Sequence, residues 1–403
     1  GLGDVYKRQL PIMIRTFRSA RTFHPVRSAA ALALPLILVP ATLTACADKV
    51  DTDASNTIEV TQTDDACTLS SADLSTGSNT FTVTNNGSKI NEFYVLTDSG
   101  RVEGEVENIG PGATRKLVVE LREPGKYQGL CKPGMVGEGL STDINVTGDA
   151  VSAAEGDEAL QEAVDNYVSY VRSQTKNLKT QTAEFVNAIK TDDMEKAKEL
   201  FPQVRTPYER IEPVAESFPN DLDPRIDLRE ADIADGDEWT GFHAIEKDLW
   251  KNKKITDSTK KLADQLSKDI DELVEGVESK DFDVTPVQIA TGAQGLLDEI
   301  ATSKITGEED IFSKTDLWDF QANLEGSKAA IAALETPLEQ RKPGKLDEIN
   351  KRFDEVQELL NGYRKGDGFV LYDTVNEAER KKLSGALDHL TEAVSEVQGI
   401  IAG

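Results

Sequence analysis

Apolar positions change their period once along this chain. Between residues 57 and 148 they alternate or cluster in short runs, as in Thr57-Ile-Glu-Val-Thr, Asn79-Thr-Phe-Thr-Val-Thr and Lys116-Leu-Val-Val-Glu-Leu. Period two with β-branched and aromatic residues predicts strands. Asn85-Asn86-Gly87, Asp98-Ser99-Gly100, Gly110-Pro111-Gly112 and Glu123-Pro124-Gly125 supply the turns between them. Several short strands so spaced predict a β-sandwich. From Glu158 the period becomes 3.6 and persists. The spacing predicts helices near 157–190, 192–217, 239–251, 256–278, 284–302, 315–336, 345–364 and 375–401. Asp192-Asp-Met-Glu195 and Thr256-Asp-Ser-Thr offer N-caps, and Thr285-Pro286 places a proline near a first turn. Breaks fall at Phe218-Pro219-Asn220-Asp221, Gly307, Lys342-Pro343-Gly344 and Gly366-Asp367-Gly368. Long amphipathic helices in a row predict one or two antiparallel bundles. Their halves should meet near residues 200–250 and 300–320. The expected fold class is multidomain: an all-β sandwich at 57–148, then an all-α bundle at 151–403.

The segment before residue 57 has a different pattern. Residues 1–12 precede Met13 and read as a scar of cloning or sequence assembly. Arg15, Arg18, Arg21 and Arg27 form a basic region, and residues 29–39 an apolar run too short to anchor as a membrane span. Leu43-Thr44-Ala45-Cys46 then sets small residues directly before a cysteine, like a bacterial lipobox. Residues 1–45 are thus expected to be removed. Cys46 would carry lipid, residues 46–56 would form a tether, and the mature protein would lie outside the cytoplasm. An ordinary secretory signal with a chance cysteine is the alternative.

Charge narrows the function classes. The chain has 72 Asp+Glu against 45 Lys+Arg, a net of −27. Without residues 1–45 the counts are 71 and 39, a net of −32. Such a surface repels nucleic acid, which is dropped as a partner. It suits cation capture, and equally plain solubility.

Chemistry in the β segment rests on cysteine and carboxylate. With Cys46 assigned to lipid, Cys131 has Cys67 as its one cysteine partner. An oxidising compartment favours a disulfide. The rival is a soft site of Cys67, Cys131 and Met135, suited to Cu(I). The run Pro124-Gly-Lys-Tyr-Gln-Gly-Leu-Cys131-Lys-Pro-Gly-Met135 resembles the end of a cupredoxin. A blue-copper site needs two histidines, however, and this segment has none. Glu103, Glu105 and Glu107 alternate, so they share one strand face. They form either a hard-cation patch or a solvated face.

The helical half centres on Trp239-Thr-Gly-Phe-His-Ala-Ile-Glu-Lys-Asp-Leu-Trp250. His243 is the one histidine between residues 25 and 388, and Glu246 follows at i+3 on the same helical face. A neighbouring surface pair is the plain reading. Acidic runs gather at the same junctions: Tyr208-Glu209-Arg210-Ile211-Glu212, Arg225-Ile-Asp227-Leu-Arg-Glu230, Thr306-Gly-Glu308-Glu309-Asp310 and Asp316-Leu-Trp-Asp-Phe-Gln321. Each alone reads as a solvated face. Their coincidence with one histidine points to a metal site. Zinc peptidases need His-Glu-x-x-His or its inverse, and Glu246 is followed by Lys247. One histidine among carboxylates suits iron or manganese better. No phosphate-binding Gly-rich loop, Gly-x-Ser-x-Gly elbow or Cys/His nucleophile pair is present.

Four stretches carry a family resemblance: Arg205-Thr-Pro-Tyr-Glu-Arg-Ile-Glu-Pro213, Thr240-Gly-Phe-His-Ala-Ile-Glu246, Lys304-Ile-Thr-Gly-Glu-Glu-Asp310 and Thr315-Asp-Leu-Trp-Asp-Phe-Gln-Ala-Asn323. Together they resemble the EfeO family of iron-uptake lipoproteins, in which a cupredoxin-like domain precedes an imelysin-like helical domain. The resemblance implies an iron site at His243, Glu246 and Glu209, joined by Asp227 and Glu309. It implies a second site for copper or ferric iron in the cupredoxin-like domain, at positions matching Cys67, Cys131, Glu105 and Glu107. It also implies a membrane iron permease and a haem peroxidase as partners. The expected function is non-enzymatic: lipid-anchored capture of iron and its delivery to the permease. A metallopeptidase is the alternative, and a metal-free bundle that presents a surface to another macromolecule is the third reading.

Overall fold

The computed structural model describes residues 57–403 apart from Ala153, Glu155, Ala234, Asp235, Asp237 and Asp281. The lipobox, Cys46 and the tether lie outside the described residues. Within them, no helix is long and apolar enough to cross a membrane.

Nine strands of the N-terminal half form two sheets, and a short hairpin of Arg364–Lys365 and Gly368–Phe369 lies in the helical half. The nine are β1 Thr57–Gln62, β2 Cys67–Leu69, β3 Asp73–Ser75, β4 Gly77–Asn85, β5 Asn91–Thr97, β6 Val102–Ile109, β7 Thr114–Leu121, β8 Gly125–Cys131 and β9 Leu140–Thr147. One sheet has the order β2-β1-β4-β7 and the other β3-β9-β8-β5-β6. The period-two pattern explains the packing. In β1, Ile58 and Val60 alternate with exposed Thr57, Glu59 and Thr61. They meet Phe81, Val83, Phe93, Val95, Leu117 and Val119 in a closed core. Cys67 and Cys131 form a disulfide that joins the two sheets. This settles the open choice for the pair: the thiolates that a Cu(I) site would need are consumed, so the cysteine–Met135 copper alternative is set aside. Glu105 and Glu107 do not join the cysteines. They line a cavity of about 310 Å³ that faces the helices.

The helices are α1 Glu158–Lys190, α2 Met194–Glu209, α3 Glu212–Glu216, α4 Leu222–Asp227, α5 Gly241–Lys247, α6 Asp257–Glu278, α7 Pro286–Glu299, α8 Asp316–Ala333, α9 Glu335–Arg341, α10 Lys345–Asn361, α11 Glu377–Ser395 and α12 Val397–Ala402. Asp193 caps α2, Thr256 caps α6 and Thr285 caps α7, as the sequence signals imply. Two departures shape the site. The expected helix over 192–217 breaks after Glu209, where Gly326 of α8 approaches the Arg210 carbonyl so closely that a Cβ would lie 2.3 Å away. Both α5 and α7 end in a turn of π-helix, Asp248–Asn252 and Ile300–Lys304. Such turns often accompany functional sites.

The two halves touch directly. Gln288 donates to the Glu103 carbonyl at 3.2 Å, Gln398 accepts from the Val118 amide at 3.3 Å, and Arg122 pairs with Asp283.

Candidate metal centre

The site forms where four chain segments converge on Arg205. This residue sits in α2, fully buried, with its guanidinium over the rings of Phe201 and Phe242. A guanidinium there is costly unless charge surrounds it. It bonds to Asp227 of α4 and to Glu209 one turn on, and lies 3.0 Å from Glu309 and 3.3 Å from Asp319. Asp310 stands 3.7 Å from its Nε.

His243 enters through a glycine. Gly241 opens α5 at φ +82°, and a Cβ there would lie 2.1 Å from the Ile226 carbonyl oxygen. Only glycine lets the start of α5 lie against the end of α4. That contact sets the His243 imidazole beside Asp227. Nδ1 is 3.1 Å from Glu246 Oε2, and Nε2 is 3.4 Å from Glu309 and 3.6 Å from Asp227. The other Glu246 oxygen accepts the amides of Phe312 and Ser313, at 3.0 and 2.6 Å. One carboxylate thus orients the imidazole and pins the loop that delivers Glu309 and Asp310.

A second buried cation backs the first. Lys304, in the π turn after α7, places Nζ 3.3–3.7 Å from Glu299, Glu209, Glu212 and Glu309. Asn323 of α8 donates to Glu209 and Glu212.

All five residues expected at this site are brought into it. Glu209 lies on the side of Arg205 and Lys304, whereas Asp227, Glu246 and Glu309 surround the imidazole. Two sets offer ligand atoms within 4.8 Å of one another: Asp227, His243 and Glu309, and His243, Glu246 and Asp310. Sequence reasoning gave no role to Arg205 or Lys304. The available signal was Arg205–Glu209 at i, i+4 inside an otherwise apolar helical face. His389, by contrast, is exposed.

The donor set fits a hard cation. Four buried polar atoms here have no hydrogen-bond partner among the described residues: His243 Nε2, Asp310 Oδ1, Asp316 Oδ2 and Asp319 Oδ2. Buried polar atoms are seldom left so, and four in one place suit an ion or ordered water between them. Nine buried or half-buried carboxylates (Glu209, Glu212, Asp227, Glu246, Glu299, Glu309, Asp310, Asp316 and Asp319) face two fully buried fixed cations. A hollow of about 160 Å³, lined by Arg229, His243 and Glu309 among others, opens the site.

Proton occupancy follows from this imbalance. Burial lifts Glu209 to about 7 against the pull of Lys304 and Arg205, and burial with Asp310 lifts Asp316 to about 7. Burial also raises Asp319 and Glu212 well above the carboxylate range. Glu309 goes the other way: burial would raise it, but Lys304, His243 and Arg229 hold it well below the usual value. Burial and Arg205 depress the imidazole, yet Asp227, Glu246 and Glu309 outweigh them and raise it to about 10.

Raised groups contribute stability that is complete below their unfolded values and is lost as pH rises through the folded ones. For Glu209 and Asp316 that window is about pH 4 to 7, and for the imidazole about 6.5 to 10. Glu309 loses its contribution only in acid. The metal-free protein is therefore expected to melt several degrees lower at pH 8 than at pH 5, since 1 kcal/mol moves Tm by roughly 2–4 °C. A bound cation displaces those protons and narrows the gap. Calorimetry in chelator checks this, and a Tm rising from pH 5 to 8 would contradict it.

Comparison with known proteins follows the same division. The imelysin family profile matches residues 163–397, and the cupredoxin-like domain profile matches 35–139. An Efem/EfeO family lipoprotein of Staphylococcus haemolyticus is 46% identical over 249 residues, covering 61% of this chain and 86% of its own. The iron uptake system component EfeO of Escherichia coli K12 is 38% identical over 354 residues, covering 85% and 91%. The Escherichia coli relative is named for iron uptake, and neither name is that of an enzyme. Among solved structures, an auracyanin of Roseiflexus castenholzii aligns over 24% of this chain and 99% of its own, at 17% identity and a TM-score of 0.19, too low to carry weight. Cupredoxin-like sandwich, imelysin bundle and shared sequence together place the chain in the Efem/EfeO family.

Proposed function

We propose that this chain is the extracytoplasmic, Cys46-anchored iron-binding component of an uptake system, with iron as cargo rather than resident cofactor. The observation that carries the reading is that His243 Nε2 and Asp310 Oδ1, buried inside a carboxylate excess, have no hydrogen-bond partner among the described residues. Asp227, His243 and Glu309 would hold iron, with Glu246 and Asp310 as the second set. Arg205 and Lys304 keep the metal-free site foldable. Delivery to a membrane permease, with a haem peroxidase acting in the same system, is part of the proposal; the relatives' names support a place in an iron uptake system. The division into a tether at 46–56, a sandwich at 57–148 and a bundle at 151–403 is likewise part of the proposal.

The peptidase alternative gains nothing from the geometry. Hydrolytic zinc favours two or three histidines, and His243 is the one imidazole in the site. Glu105 and Glu107 remain a proposed second hard-cation site. Glu107 accepts from Tyr94 at 3.3 Å, and Glu216 and Glu299 line the same cavity from the helical side.

Metal titration with thermal shift tests the main reading. The full chain should show a preference for iron over zinc, with a rise of about 2.7 kcal/mol in stability at a hundred times the dissociation constant. A zinc-selective rise would move weight to the peptidase, and no rise with any metal would end the metal reading.

A further inference from the structure

We propose that the hollow over His243 is an anion subsite, in which Arg229 holds a small planar anion of the carbonate or carboxylate class as an exogenous ligand to the captured metal. This rests on the iron-capture reading and adds to it the chemical form in which the metal is held. Three observations converge. The first is the hollow itself, about 160 Å³ and bounded by Arg229, His243 and Glu309. Ordinary small-molecule pockets begin near 300 Å³, so this one is too small for a large chelate or a peptide. The second is the place of the proposed metal: His243, 1% exposed and with no hydrogen-bond partner for Nε2 among the described residues, lines the hollow, so a cation it holds would face that space. The third is Arg229. Its Nε donates to Asp232 at 2.6 Å, while Nη1 stands 3.6 Å from Glu309, outside hydrogen-bond distance. Among the described residues neither terminal nitrogen donates a hydrogen bond.

The chemistry then follows. Asp227, His243 and Glu309 supply three ligand atoms, whereas a hard cation of this kind takes about six. The remaining ligands must come from Glu246 and Asp310 or from outside. A guanidinium presents a planar fork that matches a carboxylate or carbonate, and it neutralises the charge such a ligand brings. Flanking charge makes the uptake conditional. Glu230 is occupied by Lys247, but Glu308 also lines the hollow and repels a free anion. The anion is therefore taken up with the metal and not before it.

The test is anaerobic Fe(II) titration of the full chain, in bicarbonate-free buffer and with millimolar bicarbonate, for wild type, Arg229→Gln and Arg229→Lys. The expected result is a gain in wild-type iron affinity with bicarbonate of at least about tenfold, the scale of one charge-assisted bidentate contact. The gain should vanish in Arg229→Gln and be partial in Arg229→Lys, which keeps the charge without the fork. Bicarbonate alone should give no heat. An equal gain in wild type and Arg229→Gln, or no gain in either, would overturn the anion subsite and leave iron capture standing. Absence of iron binding in every buffer would overturn both.

Discussion

His243→Ala is expected to lose iron binding by at least about 100-fold while keeping its helical content. Groups that merely orient a metal ligand cost roughly 10- to 100-fold when removed, and His243 is shared by both candidate ligand sets. The imidazole is 1% exposed and lies between Asp227 and Glu309 on one side and Glu246 and Asp310 on the other. Its loss leaves carboxylates facing each other with no softer donor. Glu246→Gln tests the same point from behind. It keeps the volume but weakens both the hold on Nδ1 and the acceptor for the Phe312 and Ser313 amides, so iron affinity should fall by less than in His243→Ala. Titration with far-UV circular dichroism checks both. Wild-type affinity in His243→Ala would remove the imidazole from the metal's coordination.

Arg205→Leu should be the most damaging change to the metal-free fold. Breaking a buried ion pair costs about 3–5 kcal/mol, because the partners stay buried without compensation. Here one guanidinium serves Glu209, Asp227, Glu309, Asp310 and Asp319. At roughly 2–4 °C per kcal/mol, Tm should fall by about 10 °C. Arg205→Lys keeps the charge but cannot span five carboxylates, so it should fall between the two. The diagnostic feature is the response to iron. A cation bound at Asp227 and Glu309 replaces part of the missing charge, so the iron-induced rise in Tm should be larger in Arg205→Leu than in wild type. An unchanged Tm in chelator would show that the carboxylates discharge by protonation alone.

The period of the apolar residues was enough to separate sandwich from bundle, since burial of one strand face or one helix stripe is a local property of sequence. Helix ends that depend on tertiary contact were not legible. The break after Glu209 falls where Gly326 of α8, more than a hundred residues away, packs against the Arg210 carbonyl. The six-residue α4 is too short to show a period, and a helix of that length stands only by packing. The site divides the same way. His243 and Glu246 announce themselves by i, i+3 spacing, and acidic runs at the bundle junctions supply the partners. Arg205 and Lys304 look like ordinary helix cations in one dimension. Their burial appears only when four segments close around them.

Iron anomalous scattering from a crystal of the iron-loaded full chain would locate the bound metal. A peak is expected within bonding distance of the His243 imidazole and of a carboxylate from Asp227 or Glu309. A peak confined to the cavity of Glu105, Glu107, Glu216 and Glu299, with none at His243, would contradict that placement.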